Sequence, residues 1–307
     1  MQKDHELVII GGGPAGLTAG IYGGRARLDT FLIEKGIIGG QIVNAEIVEN
    51  YPGFPGGISG FDLAEAMHQQ AKKHGLRQLD DEVSKISVEV SHKEVHLTSG
   101  AICRAKAVII AGGSERRKLG VPGEDEFVGK GVSYCATCDG AFFADQTVAV
   151  VGGGDAAVTE ALFLTRFASK VVLIHRRDQL RASKIVQEKA LANPKMEFLW
   201  DTVVEEIAGD AMMRTLKLQH VKTGEQFTLE AEGAFIYVGL RPNTDCVKGT
   251  LALDEAGNII TNELMETNVQ GIFAAGDIRC NSGRQAIIAA GDGATATLSA
   301  EKFLQRT

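Results

Sequence analysis

The chain has 307 residues, 44% hydrophobic and 23% charged, with a formal net charge of −7. These values fit about two packed domains and argue against a disordered chain, a bilayer-spanning segment and, with no Lys/Arg stripe, a nucleic-acid surface. The polar start Met1–Glu6 runs straight into an apolar stretch. That is not the pattern of a secretory leader, and a cytoplasmic location is expected.

Leu7–Ile10 is a short apolar run that reads as a buried strand. Gly11-Gly12-Gly13-Pro14-Ala15-Gly16 follows at once, and a helical pattern runs from there to about Gly24. Asp29–Ile33 is a second strand that ends at Glu34. Much further on, Cys135-Ala136-Thr137-Cys138-Asp139 brings two thiols within reach of one another in a tight loop. The same βαβ pattern then returns. Val148–Val151 is a strand, Gly152-Gly153-Gly154-Asp155-Ala156-Ala157 is the turn, and a helix is predicted to about Phe167. The strand Lys170–Ile174 ends at His175. Gly11 aligns with Gly152, Gly13 with Gly154, and Glu34 with His175. Near the C-terminus, Gly271–Ala275 reads as a strand ending at Gly276-Asp277, and a long helical pattern starts at Gln285. The fold class is therefore α/β, with two Rossmann-like dinucleotide-binding units.

Each glycine of such a turn has a physical task. The first allows the tight turn and the second lets backbone approach a pyrophosphate. The third, or a small substitute such as Ala157, lets helix and strand pack closely. The phosphates then face a helix N-terminus, where free N–H groups and the helix dipole favour anions. One glycine-rich turn is weak evidence; two copies, each with its flanking strand and helix, are specific. The residue at the second strand end separates the ligands. Glu34 can accept hydrogen bonds from a ribose hydroxyl, as FAD or NAD requires, and would repel a 2′-phosphate. His175-Arg176-Arg177, with Arg181 one turn on, suits a 2′-phosphate and points to NADPH. A solvated basic patch is the alternative at this place.

A Cys-x-x-Cys pair beside redox nucleotides can take two electrons and pass them to another disulfide. Half of a zinc site is the rival reading, but the remaining cysteines, Cys103, Cys246 and Cys280, are single and scattered. Asp139 is the one proton carrier inside the motif, and a plain turn residue before Gly140 is an equally natural role for it. The expected relay is nicotinamide to flavin to cysteines to a partner disulfide.

Nearly end to end, the chain resembles the bacterial low-molecular-weight thioredoxin reductases. The likeness rests on Gly11–Gly16, Gly39-Gly40-Gln41, Glu49-Asn50-Tyr51-Pro52-Gly53-Phe54, Cys135–Gly140, His175-Arg176-Arg177, Gly276-Asp277 and Arg284-Gln285-Ala286. It implies a discontinuous FAD domain, residues 1–115 and 246–307, with an NADPH domain, 116–245, inserted and carrying the cysteines. On the repeat and the resemblance together, FAD is expected at Gly11, Gly13, Pro14, Ala15, Gly16, Glu34, Gly40, Gln41, Asn50, Gly276, Asp277, Arg284, Gln285 and Ala286. NADPH is expected at Gly152, Gly154, Asp155, Ala157, His175, Arg176, Arg177 and Arg181. For Asp277 a helix N-cap is the alternative role. The resemblance further implies that Cys138 lies near the flavin, that Cys135 attacks the disulfide of thioredoxin, that Asp139 is the acid/base, and that the protein is a homodimer. Phe142 and Phe143 stand where the family docks thioredoxin, with core packing as the competing use. Catalysis is thus expected from Cys135, Cys138 and Asp139, with no metal.

A ferredoxin- or oxygen-linked dithiol flavoprotein of this fold is expected to lose the phosphate-binding arginines, which are present. A ferredoxin–NADP reductase would lack the cysteine pair, and a non-catalytic FAD-binding sensor would not need it.

Overall fold

The computed structural model describes residues 4–45 and 47–306. The chain forms two compact units, residues 1–115 with 241–307, and residues 116–240.

The first unit is built on a mixed sheet. Strand β1 (Asp4–Ile10) leads into helix α1 (Pro14–Arg25), then β2 (Thr30–Glu34), α2 (Gly60–Lys73) and β3 (Arg77–Asp80). Strands β4 (Val83–Val88), β5 (Lys93–Leu97) and β6 (Ile102–Ile110) follow as an antiparallel run. The strand order is β3-β2-β1-β6-β5-β4. On the far side of β6, β5 pairs with its first half and the closing strand Ile272–Ala274 pairs in parallel with Val108–Ile110. The β1 and β6 runs are apolar because both faces are covered, with Leu7, Val8 and Ile9 fully buried. One face packs on α1 and the closing helix Ala286–Leu304; the other packs on Val247, Leu251 and Ile259.

Local signals explain where the helices begin. Pro14 occupies the first turn of α1, where its missing N–H costs nothing, and Arg25 sits in the last turn, where a cation suits the dipole. Ser59 caps α2, accepting from Asp62 N at 3.0 Å, while its hydroxyl donates to the Asp62 carboxylate at 2.7 Å.

The second unit repeats the scheme with a parallel sheet in the order Met196–Leu199, Lys170–Ile174, Thr147–Gly152, Gly233–Tyr237, Val132–Ser133. The helix after its glycine turn is Asp155–Leu164, ending three residues before the predicted stop at Phe167. The chain then turns sharply through Thr165–Phe167, where Thr165 Oγ1 donates to Leu162 O at 2.7 Å. A three-stranded antiparallel sheet, Thr202–Gly209, Met213–His220 and Gln226–Glu230, completes the unit. No described helix is long and apolar enough to cross a membrane.

Candidate functional site

The redox turn lies in the second unit. Cys135 and Cys138 form a disulfide and bracket the first turn of the short helix Ala136–Asp139. Cys138 is exposed and Cys135 half-buried. Cys138 N–H donates to Cys135 Sγ at 3.2 Å, so a backbone dipole points at that sulfur. Ser133 organises the turn from beneath. Its buried hydroxyl accepts from Cys135 N at 3.0 Å and donates to Asp139 Oδ2 at 2.6 Å. Tyr237 supports the other side, accepting from Ala136 N at 2.9 Å. Burial, then the Glu160 carboxylate, pushes the Tyr237 phenol well above its usual range, so it stays neutral. The Arg116 guanidinium lies 5.0 Å from the centre of the Tyr237 ring. Ser133 and Tyr237 were not foreseen from the sequence; the hint for Ser133 was its place two residues before Cys135, and for Tyr237 its place at a strand end.

The adjacent aromatics divide their roles. Phe143 is buried against Phe235, ring centres 5.4 Å apart, and is a core residue. Phe142 is 78% exposed.

Both glycine turns meet the steric demands of a dinucleotide site. A Cβ on Gly11 would stand 2.3 Å from Ala111 O, and one on Gly16 would stand 1.8 Å from Gly11 O. Gly154 has open space in front of it, and a Cβ on Gly13 would meet only Gly39 O at 4.0 Å, which leaves the room that close approach of a phosphate needs. Neither following helix has a side-chain cap, so its first N–H groups point outward with no side chain to satisfy them. Gly152 packs against Ala157, where a Cβ would come within 2.7 Å of the Ala157 methyl; the small third residue is required there. Asp155 opens its helix and accepts from Ser183 N at 2.8 Å.

At the first strand end, the Glu34 carboxylate accepts from Gly12 N at 2.5 Å and from Gly36 N at 2.8 Å, which aims it across the turn. Asn50 and Gln285, far apart in sequence, meet through a 2.9 Å bond between Nδ2 and Oε1. Gln41 Nε2 donates to Ser114 O at 3.3 Å, and Gly40 follows in the same left-handed turn as Gly39. Asp277 lies in a one-turn 3-10 segment, Gly276–Ile278, and caps no long helix; Gln285 is the N-cap of the closing helix, with Ala286 its first residue. Burial raises the Asp277 pKa. Exposed Arg284 sits at φ 51° just ahead of this helix. A buried pair behind Asp277 escaped the sequence reading. Arg279 contacts Asp292 through Nε at 2.6 Å and through a second nitrogen at 2.8 Å, and Asp292 also accepts from Gly276 N at 3.0 Å. A single acid inside the apolar stretch Ala286–Ala296 was its signal.

At the second strand end the basic residues separate. The His175 ring is 5% exposed and packs over Gly153, where a Cβ would sit 2.4 Å from it. Burial, then the Arg181 charge, lowers its pKa, so the imidazole is neutral, and its buried Nε2 has no hydrogen-bond partner. Arg176, Arg177 and Arg181 are exposed around a cleft of about 470 Å³. Arg181 N donates to Gly153 O at 2.7 Å, tying this basic loop to the glycine turn. An orphaned buried nitrogen, an open glycine and a ring of guanidinium groups fit a phosphorylated nucleotide. Among the described residues no group of three or more His, Cys, Asp or Glu could hold a metal ion.

Comparison with known proteins gives a consistent result. The pyridine nucleotide-disulphide oxidoreductase family matches residues 5–293. The thioredoxin reductase of Peptoclostridium acidaminophilum is 46% identical over 311 residues, 99% of this chain and 98% of that protein. That of Bacillus subtilis is 47% identical over 305 residues, 99% of this chain and 96% of that protein. The crystal structure of Lactococcus lactis thioredoxin reductase superposes with a TM-score of 0.96 at 44% identity, covering 99% of this chain and 100% of that one.

Proposed function

The chain belongs to the thioredoxin reductases of the pyridine nucleotide-disulphide oxidoreductase family, and from this we propose that it passes two electrons from NADPH through FAD and the Cys135–Cys138 pair to the disulfide of thioredoxin. The observation that carries the reading is the Cys135–Cys138 disulfide, with Cys138 exposed and a backbone N–H directed at Cys135 Sγ. The first unit is taken as the FAD domain and the second as the NADPH domain. Gly11–Gly16, Glu34, Gly40, Gln41 and Asn50 would hold FAD, along with Gly276, Asp277 and Arg284–Ala286. Gly154 and the helix N-terminus at Asp155 would face the NADPH pyrophosphate, with Gly152 and Ala157 packed beneath to shape the turn, and Arg176, Arg177 and Arg181 would face its 2′-phosphate. FAD, once bound, supplies acceptance of a hydride from NADPH and donation of the electron pair to a disulfide.

The chain's own part follows from the geometry. Reduction opens the Cys135–Cys138 bond and leaves two sulfurs and one net proton to place. The Cys138 N–H would favour a thiolate on Cys135, which supports Cys135 as the sulfur that attacks thioredoxin. That attack forms a mixed disulfide and expels one thioredoxin sulfur. Cys138 then attacks Cys135 Sγ, re-forming the intramolecular disulfide and releasing thioredoxin as a dithiol. Asp139, held by Ser133, would take the proton from Cys138 and pass it to a departing thioredoxin sulfur, the second proton of the dithiol coming from solvent. The basic cleft argues against a ferredoxin-driven variant, which needs no 2′-phosphate site. A homodimer and a cytoplasmic setting belong to the proposal, carried by the family alone. Anaerobic addition of NADPH should bleach the bound flavin, and thioredoxin should then restore its colour. A flavin that NADPH leaves oxidised would end this reading, and sedimentation would settle the oligomeric state.

A further inference from the structure

The cleft that holds the three arginines has a fourth cation on its wall, Lys222, which comes from a different segment. Lys222 sits at the tip of the hairpin joining strands Met213–His220 and Gln226–Glu230. That tip is fixed to the basic loop through Asp201. Asp201 N donates to Arg177 O at 3.2 Å, and Val221 N donates to Asp201 O at 2.6 Å. Asp201 itself adopts φ 49°, a left-handed conformation that costs an L-residue energy and is kept here by both bonds. The Lys222 ammonium donates to Asp201 Oδ2 at 2.8 Å and to Asp178 Oδ2 at 3.3 Å. Asp201 is 14% exposed and firmly placed, whereas Asp178 is 66% exposed and free to turn away.

We propose that Lys222 is a specificity-determining residue for NADPH: Asp201 aims its ammonium into the cleft, and Asp178 gives way as the 2′-phosphate arrives. The inference rests on the assignment of NADPH to this unit. Its charge logic is simple. With Lys222 in place the cleft walls carry four cations and two carboxylates. Without it, two carboxylates face the phosphate with one cation fewer, so the loss is both of an attraction and of a shield. A purely structural role, in which Lys222 only pins the hairpin, would affect nucleotides with and without the extra phosphate alike.

The test is calorimetric binding of 2′,5′-ADP and of 5′-AMP to the FAD-loaded protein at low ionic strength. Wild type should prefer 2′,5′-ADP. Lys222→Met should bind 2′,5′-ADP about tenfold more weakly, the low end for a charge-assisted contact because the side chain is more than half exposed. Its 5′-AMP affinity should stay within twofold. Lys222→Arg should keep the preference. Asp178→Asn should bind 2′,5′-ADP severalfold more tightly and leave 5′-AMP unchanged, and this variant decides the matter if Lys222→Met folds poorly. Equal losses for both nucleotides in Lys222→Met, or no gain in Asp178→Asn, would overturn the role of Lys222 while the arginines stand. A wild type that does not distinguish the two nucleotides would overturn the NADPH assignment and this inference with it.

Discussion

Replacing Ser133 by Ala should loosen the redox turn without touching either cysteine. The buried hydroxyl makes one charge-assisted bond, to Asp139 at 2.6 Å, and takes one backbone donor, Cys135 N at 3.0 Å. Bonds to charged groups contribute about 1.5–3 kcal/mol and neutral ones about 0.5–1.5 kcal/mol. Asp139 is half-buried, which keeps the first figure near its lower end, so the loss is about 2–3 kcal/mol. If the turn opens locally, that energy appears directly in amide exchange. At a factor of ten per 1.4 kcal/mol, protection of the Cys135 amide should fall about 30- to 130-fold. Hydrogen exchange followed on short peptides covering 131–140 reads this in the oxidised protein. Thioredoxin reduction should fall as well, while NADPH-driven flavin reduction stays near wild type, and Ser133→Thr should recover most of both losses. Protection within threefold of wild type would show that the hydroxyl does not hold the turn, and the role given to Asp139 would lose its structural support.

Further outcomes rest on the same structure. Neutralising Arg176 and Arg177 together should weaken NADPH by about two orders of magnitude, from two charge-assisted contacts at the low end, about 1.5 kcal/mol each, because both side chains are exposed, with little change for NADH; KM values for the two nucleotides check it. Cys138→Ser should leave FAD bound and flavin reduction by NADPH intact while abolishing thioredoxin turnover. Cys135→Ser should stop turnover equally, and a flavin spectrum unlike that of Cys138→Ser would mark Cys138 as the sulfur beside the ring. Gly16→Ala should cost several kcal/mol or prevent folding, because its methyl would meet Gly11 O at 1.8 Å; a melting temperature equal to wild type would contradict this. His175 has a lowered pKa, so the unfolded chain binds the proton more readily and stability falls as pH drops through the ordinary value of 6.5. Urea unfolding at pH 7.5 and 5.5 should show a shallower loss in His175→Gln than in wild type, and equal losses would refute it.

The two glycine turns were legible because their glycines answer steric demands of the backbone itself. Gly11, Gly16 and Gly152 each face a carbonyl oxygen that leaves no room for a Cβ. The cysteine pair was legible because its spacing alone brings the sulfurs together. What stayed hidden depends on distant chain segments meeting. Asn50 finds Gln285, Arg279 finds Asp292, and Lys222 finds Asp178 and Asp201 only after folding. Neither the hairpin sheet of the second unit nor the opposite fates of Phe142 and Phe143 could be read locally. Two adjacent phenylalanines look alike in sequence, and only the 3-10 turn at Gly140–Phe143 sends one inward and leaves the other out.

The closing helix has a consequence for synthesis. It seals against α1 so closely that a Cβ on Gly293 would strike Ala15 O at 2.1 Å, and Thr297 Oγ1 reaches Ala19 O at 3.3 Å. The strand before it supplies the partner for Val108–Ile110. A ribosome delivers the first 115 residues long before either piece exists, whereas residues 116–240 contain everything their own sheet needs. The inserted unit can therefore mature first. Until the last forty or so residues emerge, the earlier part carries a bare strand edge and an uncovered helix, a template for wrong pairing. Stalled or prematurely ended chains should be taken by chaperones and proteases through that exposed edge rather than through the redox turn.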